Sequence, residues 1–245
     1  MLRTFKRAKR TLTATRPSSY RTGKYKRTKS KMTSRKIRKI TKSMIMAKKE
    51  TKRLDYAGGT DNVYHNTGAL GTPNSMMLNR TDKLPAQGDG DSGRDGNDIY
   101  GVGWTIRIQT RFPWDRLNTK LKFWFLRVPK GYNPASSYTN MFDNITGNVM
   151  LDPIDKDRVH VLTSFVAFLK DINPAQSGSV KDATTYHKVF IPLKKTIKFW
   201  DDGAQDNSMP YDYFITYAGY DTTGTLPTDV VATTQIWSRF TYKDL

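Results

Sequence analysis

Beyond about residue 54 the apolar positions recur with a period of two, in segments rich in β-branched and aromatic residues and separated by clusters of Gly, Pro, Asn and Asp. The pattern predicts strands at Tyr100–Phe112, Lys120–Val128, Val159–Leu169, Tyr186–Phe199 with an interruption at Pro192, Tyr211–Tyr220 and Val230–Tyr242. Weaker candidates lie at Val63–His65 and Met76–Asn79. Within Tyr211–Tyr220, Tyr211, Tyr213, Ile215 and Tyr217 face one way and Asp212, Phe214 and Thr216 the other. Phe214 breaks the polar side, so both faces of this strand are expected to be covered. About eight antiparallel strands joined by long loops imply an all-β domain, a single jelly-roll sandwich over residues 54–245. The stretch from Asn133 to Pro153 has room for a short helix near Ser137–Phe142, and subunit contact is the simplest role for a loop of that length.

Before residue 54 the period changes. Ile37, Ile40, Met44 and Ala47 recur at steps of three and four between basic residues, and Ser34 stands where an N-cap is needed. An amphipathic helix is predicted over about 34–52. Its apolar stripe is narrow, which suits packing on the domain or on a neighbouring subunit, and a basic helix of this kind also suits an anionic membrane surface. Residues 1–30 hold Lys, Arg, Thr, Ser and Tyr with almost no aliphatic side chains, so they are expected to be disordered when alone.

Charge sharpens this division. Of the 41 Lys and Arg residues 21 lie in residues 1–53, where Glu50 is the acid, a net of +20; residues 54–245 carry 20 basic and 21 acidic groups, a net of −1. Confinement of the surplus to one terminus is the footprint of an arm that meets a polyanion, and nucleic acid is the first candidate. The residues expected to bind it are Arg3, Lys6, Arg7, Lys9, Arg10, Arg16, Tyr20, Arg21, Lys24, Tyr25, Lys26, Arg27, Lys29, Lys31, Arg35, Lys36, Arg38 and Lys39. Cations meet phosphates, and rings such as Tyr20 and Tyr25 stack on unpaired bases, each stack contributing about 1–3 kcal/mol. The clusters at 6–10 and 24–29 also read as signals for the host nuclear-import machinery, which would place the protein in the nucleus for part of its life.

The remaining chemistry is sparse. There is no Cys, hence no disulfide and no thiolate site. No apolar run approaches the ~18 residues of a membrane span, so membrane insertion is not expected. Asn79-Arg80-Thr81 and Asn144-Ile145-Thr146 match the glycosylation pattern and read as chance turn sequences. Asp89, Asp91 and Asp95 crowd one turn and are weak Ca²⁺ candidates, since the Glu that closes a calcium loop is missing; solvated turn residues are the plainer reading. Asp152, Asp155 and Asp157 read the same way, with Arg158 as a partner for one of them, and Asp201, Asp202 and Asp206 form a further such group. His65, His160 and His187 have no ligand spacing, and neither a nucleophile elbow nor a phosphate-binding glycine loop occurs. No enzymatic activity and no cofactor are expected.

A resemblance rests on segments that follow one another in order: Leu84-Pro85-Ala86-Gln87-Gly88-Asp89-Gly90, Arg94-Asp95-Gly96, the run Tyr100–Ile108, Leu121–Gly131, Met141-Phe142-Asp143-Asn144, Asp157-Arg158-Val159 and Trp237–Tyr242. In this order, behind a basic arm, they resemble the capsid proteins of small circular, Rep-encoding single-stranded DNA viruses, geminivirus-like in the glycine-rich turn and Arg-x-Gly before a long strand. Satellite RNA virus capsids share the jelly roll and the arm. The chain departs from geminivirus coat proteins in having no Cys or Cys/His motif. The resemblance implies a homo-oligomeric virion shell, about 60 copies in the smallest icosahedral form, around a single-stranded DNA genome. The other reading from the residues is a cellular RNA- or DNA-binding protein, for example ribosome-associated, whose tail threads into folded RNA.

Overall fold

The computed structural model describes residues 34–66, 74–169, 183–200, 207–222 and 226–245. The chain divides into two units, residues 1–43 and 44–245, with the boundary inside a helix. That helix, α1 (Ser34–Lys48), is built from Arg, Lys, Ile, Met and Ala without Gly or Pro, and Lys48 in its last turn complements the negative end of the helix dipole. It ends where it does because Lys52 is already the first residue of a strand.

Eight strands follow: β1 (Lys52–Tyr64), β2 (Asn74–Met77), β3 (Asp98–Phe112), β4 (Lys120–Pro129), β5 (His160–Phe168), β6 (Ala183–Lys198), β7 (Tyr211–Tyr220) and β8 (Val230–Asp244). They form two four-stranded sheets with orders β1-β8-β3-β6 and β2-β7-β4-β5, and every ladder is antiparallel. Successive strands alternate between the sheets except at β4 and β5, which pair directly. This order is the two-Greek-key jelly roll, and the all-β expectation is met. Among the described residues no helix is long and apolar enough to cross a membrane.

The space between the sheets is filled by Trp104, Ile106, Ile108 and Phe112 from β3, Phe123 and Phe125 from β4, Ile215 and Tyr217 from β7, and Ile236, Phe240 and Tyr242 from β8, all buried. In β3 the inward phase switches from odd to even numbers between Ile99 and Trp104, because a bulge lies between Gly101 and Gly103. A Cβ on Gly103 would lie 2.3 Å from the Ile191 carbonyl oxygen, so no other residue fits this close approach of β3 to β6. Pro192 sits opposite that bulge and does not interrupt β6, contrary to the sequence expectation. β6 pairs with β3 alone and is an edge strand, the place in a sheet where a residue without an N–H is tolerated.

Both faces of β7 are covered, as its mixed alternation implied. The outward side chains Trp124, Leu126 and Val128 of β4 and Phe214 and Ala218 of β7 are buried under residues 130–159, through Tyr138, Met141, Phe142, Val149 and Val159. The Trp124 and Phe142 rings meet edge to face at 5.4 Å. A short 3-10 turn, Tyr138–Asn140, lies inside the segment where a helix was expected. The long loop thus caps the outside of the β2-β7-β4-β5 sheet.

Candidate nucleic-acid interface

Of the binding residues expected in the arm, Lys36, Arg38 and Lys39 are placed on α1; the side chain of Arg35 and the others, Arg3 to Lys31, lie outside the described residues. The carboxylate candidates for calcium are not brought together. Asp95 accepts a 2.6 Å hydrogen bond from Lys52 Nζ, whose 3.0 Å contact with Asp244 completes a clamp between the loop, β1 and the end of β8. Hydrogen bonding from Lys52 holds the Asp95 carboxyl below the usual carboxylate range. Asp89 and Asp91 are exposed, and no cluster of three His, Asp or Glu suited to a metal occurs among the described residues.

The Arg-x-Gly of the same loop has an architectural role. Arg94 is fully buried, donates from Nη1 to the Gly96 carbonyl at 2.6 Å and to Asn97 Oδ1 at 2.8 Å, and lies 4.3 Å over the Phe199 ring. Asp152 is likewise internal: it accepts hydrogen bonds from the Tyr138 hydroxyl, the Thr146 amide and hydroxyl, and the Gly147 amide, fastening the capping loop to itself. Arg158 pairs with Asp155 at 3.2 Å. Asn79, in the first glycosylation-like triplet, is buried and bonded to Asp212. His65 accepts from the Asp221 amide through Nδ1, His187 meets the Phe165 ring at 4.6 Å in a tilted arrangement, and His160 is exposed, so the histidines serve separate local contacts. Asp201, Asp202 and Asp206 lie outside the described residues.

A basic, aromatic surface that the linear pattern does not reveal lies on the outside of the β1-β8-β3-β6 sheet. Register sets its side chains in rows across the four strands. One row runs Ala57, Trp237, Arg107, Lys188; the next runs Thr60, Gln235, Gln109, Tyr186; on the other side lies Asp55, Arg239, Thr105, Phe190. Neighbouring strands are about 4.8 Å apart, so each ring has a cation or amide within reach. Trp237, half-buried, lies 5.0 Å from the guanidinium carbons of both Arg107 and Arg239. Arg239 is held by Asp55 in a two-pronged ion pair of 2.6 and 2.7 Å. Arg53, Arg107, Arg111 and Lys188 are exposed on the same face, and Tyr186 and Phe190 are exposed by 74% and 50%, unusual for rings with nothing to meet. Chemically the face offers positive charge to an anion and ring faces to a planar group.

No family model and no curated protein matches the chain. Among solved structures it is similar to the unassembled KI polyomavirus VP1 pentamer, at 13% identity over 79% of this chain and 93% of that one, with a TM-score of 0.21. Trichodysplasia spinulosa-associated polyomavirus VP1 in complex with 3'-sialyllactose matches at 11% identity over 79% and 76%, with a TM-score of 0.12. At such values the likeness adds nothing to the strand order, which establishes the jelly roll unaided.

Proposed function

We propose that this chain is the coat protein of a small virus with a single-stranded DNA genome, assembling into an icosahedral shell and packaging the genome through its N-terminal arm. The observation that carries the reading is the union of an eight-stranded jelly roll with a terminus that holds all the excess charge, +20 against −1 for the rest. A near-neutral domain can meet its copies through apolar and polar contacts without a long-range charge barrier. The arms are the converse case. In a shell of about 60 subunits they would gather roughly 1,200 positive charges, comparable with the phosphates of a genome of one to a few thousand nucleotides. Without a polyanion they would repel one another, so cargo should promote assembly.

The test is particle yield, by light scattering and negative-stain microscopy, for the full chain and for a chain lacking residues 1–30, each with and without single-stranded DNA at low salt. The full chain should form closed particles far better with DNA, and the truncated chain should lose most DNA binding and its dependence on cargo. Affinity of the full chain should fall steeply with salt, with a slope of about −0.7 per phosphate contacted. Protein that stays monomeric with DNA at every salt concentration would overturn the reading.

A further inference from the structure

We propose that the outside of the β1-β8-β3-β6 sheet is a second contact for single-stranded nucleic acid, where a base enters a hollow beside Trp237 and Tyr186 while Arg107 and Lys188 hold the phosphates next to it. The inference rests on the packaging reading above and adds a site outside the arm. It also orients the subunit, because this sheet must then face the cargo.

The hollow has a volume of about 470 Å³, and its lining includes the outward row residues Arg107, Gln109, Tyr186, Lys188, Gln235 and Trp237 as well as Ile108, His187 and Ile236 of the opposite phase. It exists because β1 withdraws there. A bulge between Ala57 and Thr60 draws Gly58 against β8, where a Cβ would lie 2.9 Å from the Ile236 carbonyl oxygen, and on the β1 side Trp237 is met by the small side chain of Ala57. Rings at two corners give stacking surfaces that accept any base. The amides of Gln109 and Gln235, paired across β3 and β8, offer donors and acceptors to a base edge without choosing among bases.

Charge selects the class of partner. The unit as a whole is close to neutral, yet this face presents Arg53, Arg107, Arg111, Lys188 and Arg239 along its length, with the carboxylate of Asp55 among Arg53, Arg107 and Arg239 at one end. Asp55 is occupied by Arg239, whereas Arg107 and Lys188 enter no ion pair among the described residues. A polyanion complements such a surface, and the exposed rings favour one that carries planar bases over an acidic polypeptide.

The experiment measures fluorescence anisotropy of the full chain with oligo(dT) and with an abasic oligonucleotide of equal length, at a salt concentration high enough to weaken the arm, in the wild type, Trp237→Ala and Trp237→Phe. The wild type should prefer the base-bearing strand by roughly tenfold. Trp237→Ala should lose most of that preference and Trp237→Phe should keep it, which separates stacking from any general disturbance of the fold. Ultraviolet crosslinking of a bromodeoxyuridine oligonucleotide should label peptides containing Trp237 or Tyr186. An unchanged preference in Trp237→Ala, with crosslinks confined to the arm, would overturn the proposal while leaving the packaging reading intact; failure of the wild type to bind either strand at low salt would sink that reading itself. Competition by polyglutamate as effective as that by oligo(dT) would also overturn it, and loss of particles in Lys188→Glu with base preference unchanged would assign the face to subunit contact instead.

Discussion

On the β2-β7-β4-β5 sheet the outward residues Trp124, Leu126, Val128 and Phe214 are apolar and lie under residues 130–159; on the β1-β8-β3-β6 sheet the outward residues Arg107, Arg111, Lys188, Tyr186 and Phe190 are cationic or aromatic and exposed. The strands of the β1-β8-β3-β6 sheet are the longer, at 13–16 residues against 4–10, but both sheets are antiparallel and pleated, so the difference between their outer faces lies in the side chains and in what the chain lays over them. The capped sheet uses its outer face for stability, with a second buried cluster behind the main one. The open sheet keeps rings on its surface at the cost of exposed apolar area, which a folded domain retains where a partner is to cover it. One sandwich thereby separates a face that holds the subunit together from a face available for binding.

The largest expected effect tests the capped side. Trp124→Ala removes a fully buried indole and the edge-to-face contact with Phe142, and should cost about 3–5 kcal/mol in urea unfolding. Trp237→Ala, the same change on the open face, should cost about 1 kcal/mol, since only two partly solvated cation–ring contacts and limited burial are lost. Equal losses would mean that the two faces do not differ in their contribution to stability.

The contrast between the faces was only half legible in the sequence. The strands β3, β4, β5, β7 and β8 stand out because each is dense in β-branched and aromatic residues, even where a bulge shifts the apolar phase as it does in β3, and Phe214 announces that β7 is covered on both sides. Of strand β1 the sequence pattern shows only Val63–His65: Asp55, Gly58, Gly59, Asp61 and Asn62 break its pattern, and Lys52 and Arg53 look like the tail of the arm. Its strand character comes from pairing with β8, a tertiary cause. The open face stayed hidden for a related reason. Arg107, Lys188 and Trp237 each occupy the ordinary outward phase of their own strands, and only the register of three ladders puts them in one row with Ala57. The Arg94-Asp95-Gly96 triplet was visible as a motif, but its burial and its contact with Phe199, about a hundred residues away in sequence, were not.

A smaller effect comes from the fastening of the cap. Burial pushes the Asp152 carboxyl up, but hydrogen bonds from Thr146, Tyr138 and the Gly147 amide outweigh it and hold the group at about 2, below the ordinary 3.8. A lowered value in the folded state means that the stabilisation is complete above about pH 4 and is lost as pH falls toward 2. Asp152→Asn should therefore melt below the wild type at neutral pH, and the gap in Tm should close as the pH is taken from 4 to 2. A gap that stays constant over that range would show that the charge of Asp152 does not hold the loop on the sheet, and the open face should be unaffected in either case.

The smallest effect, and the finest probe of the open face, is expected from Asp55→Asn. The Asp55 carboxyl lies below its usual range because Arg239 donates to it, yet both side chains are substantially exposed, at 45% and 33%. Solvent screens such a pair, and its loss should cost less than about 1 kcal/mol of stability. Binding should move the other way. The substitution removes the carboxylate from a face that gathers Arg53, Arg107 and Lys188, and it releases Arg239 for a phosphate. One unit charge at about 10 Å in water is worth roughly 0.4 kcal/mol, so affinity for oligo(dT) at low salt should rise about twofold. The gain should fade at about 0.5 M salt, where the screening length falls to roughly 4 Å. Anisotropy titrations at the two salt concentrations read this directly. A gain that persists at high salt would point to a direct contact made by the new amide and not to charge, and no gain at low salt would place the bound strand away from this sheet, leaving the arm to carry the cargo alone.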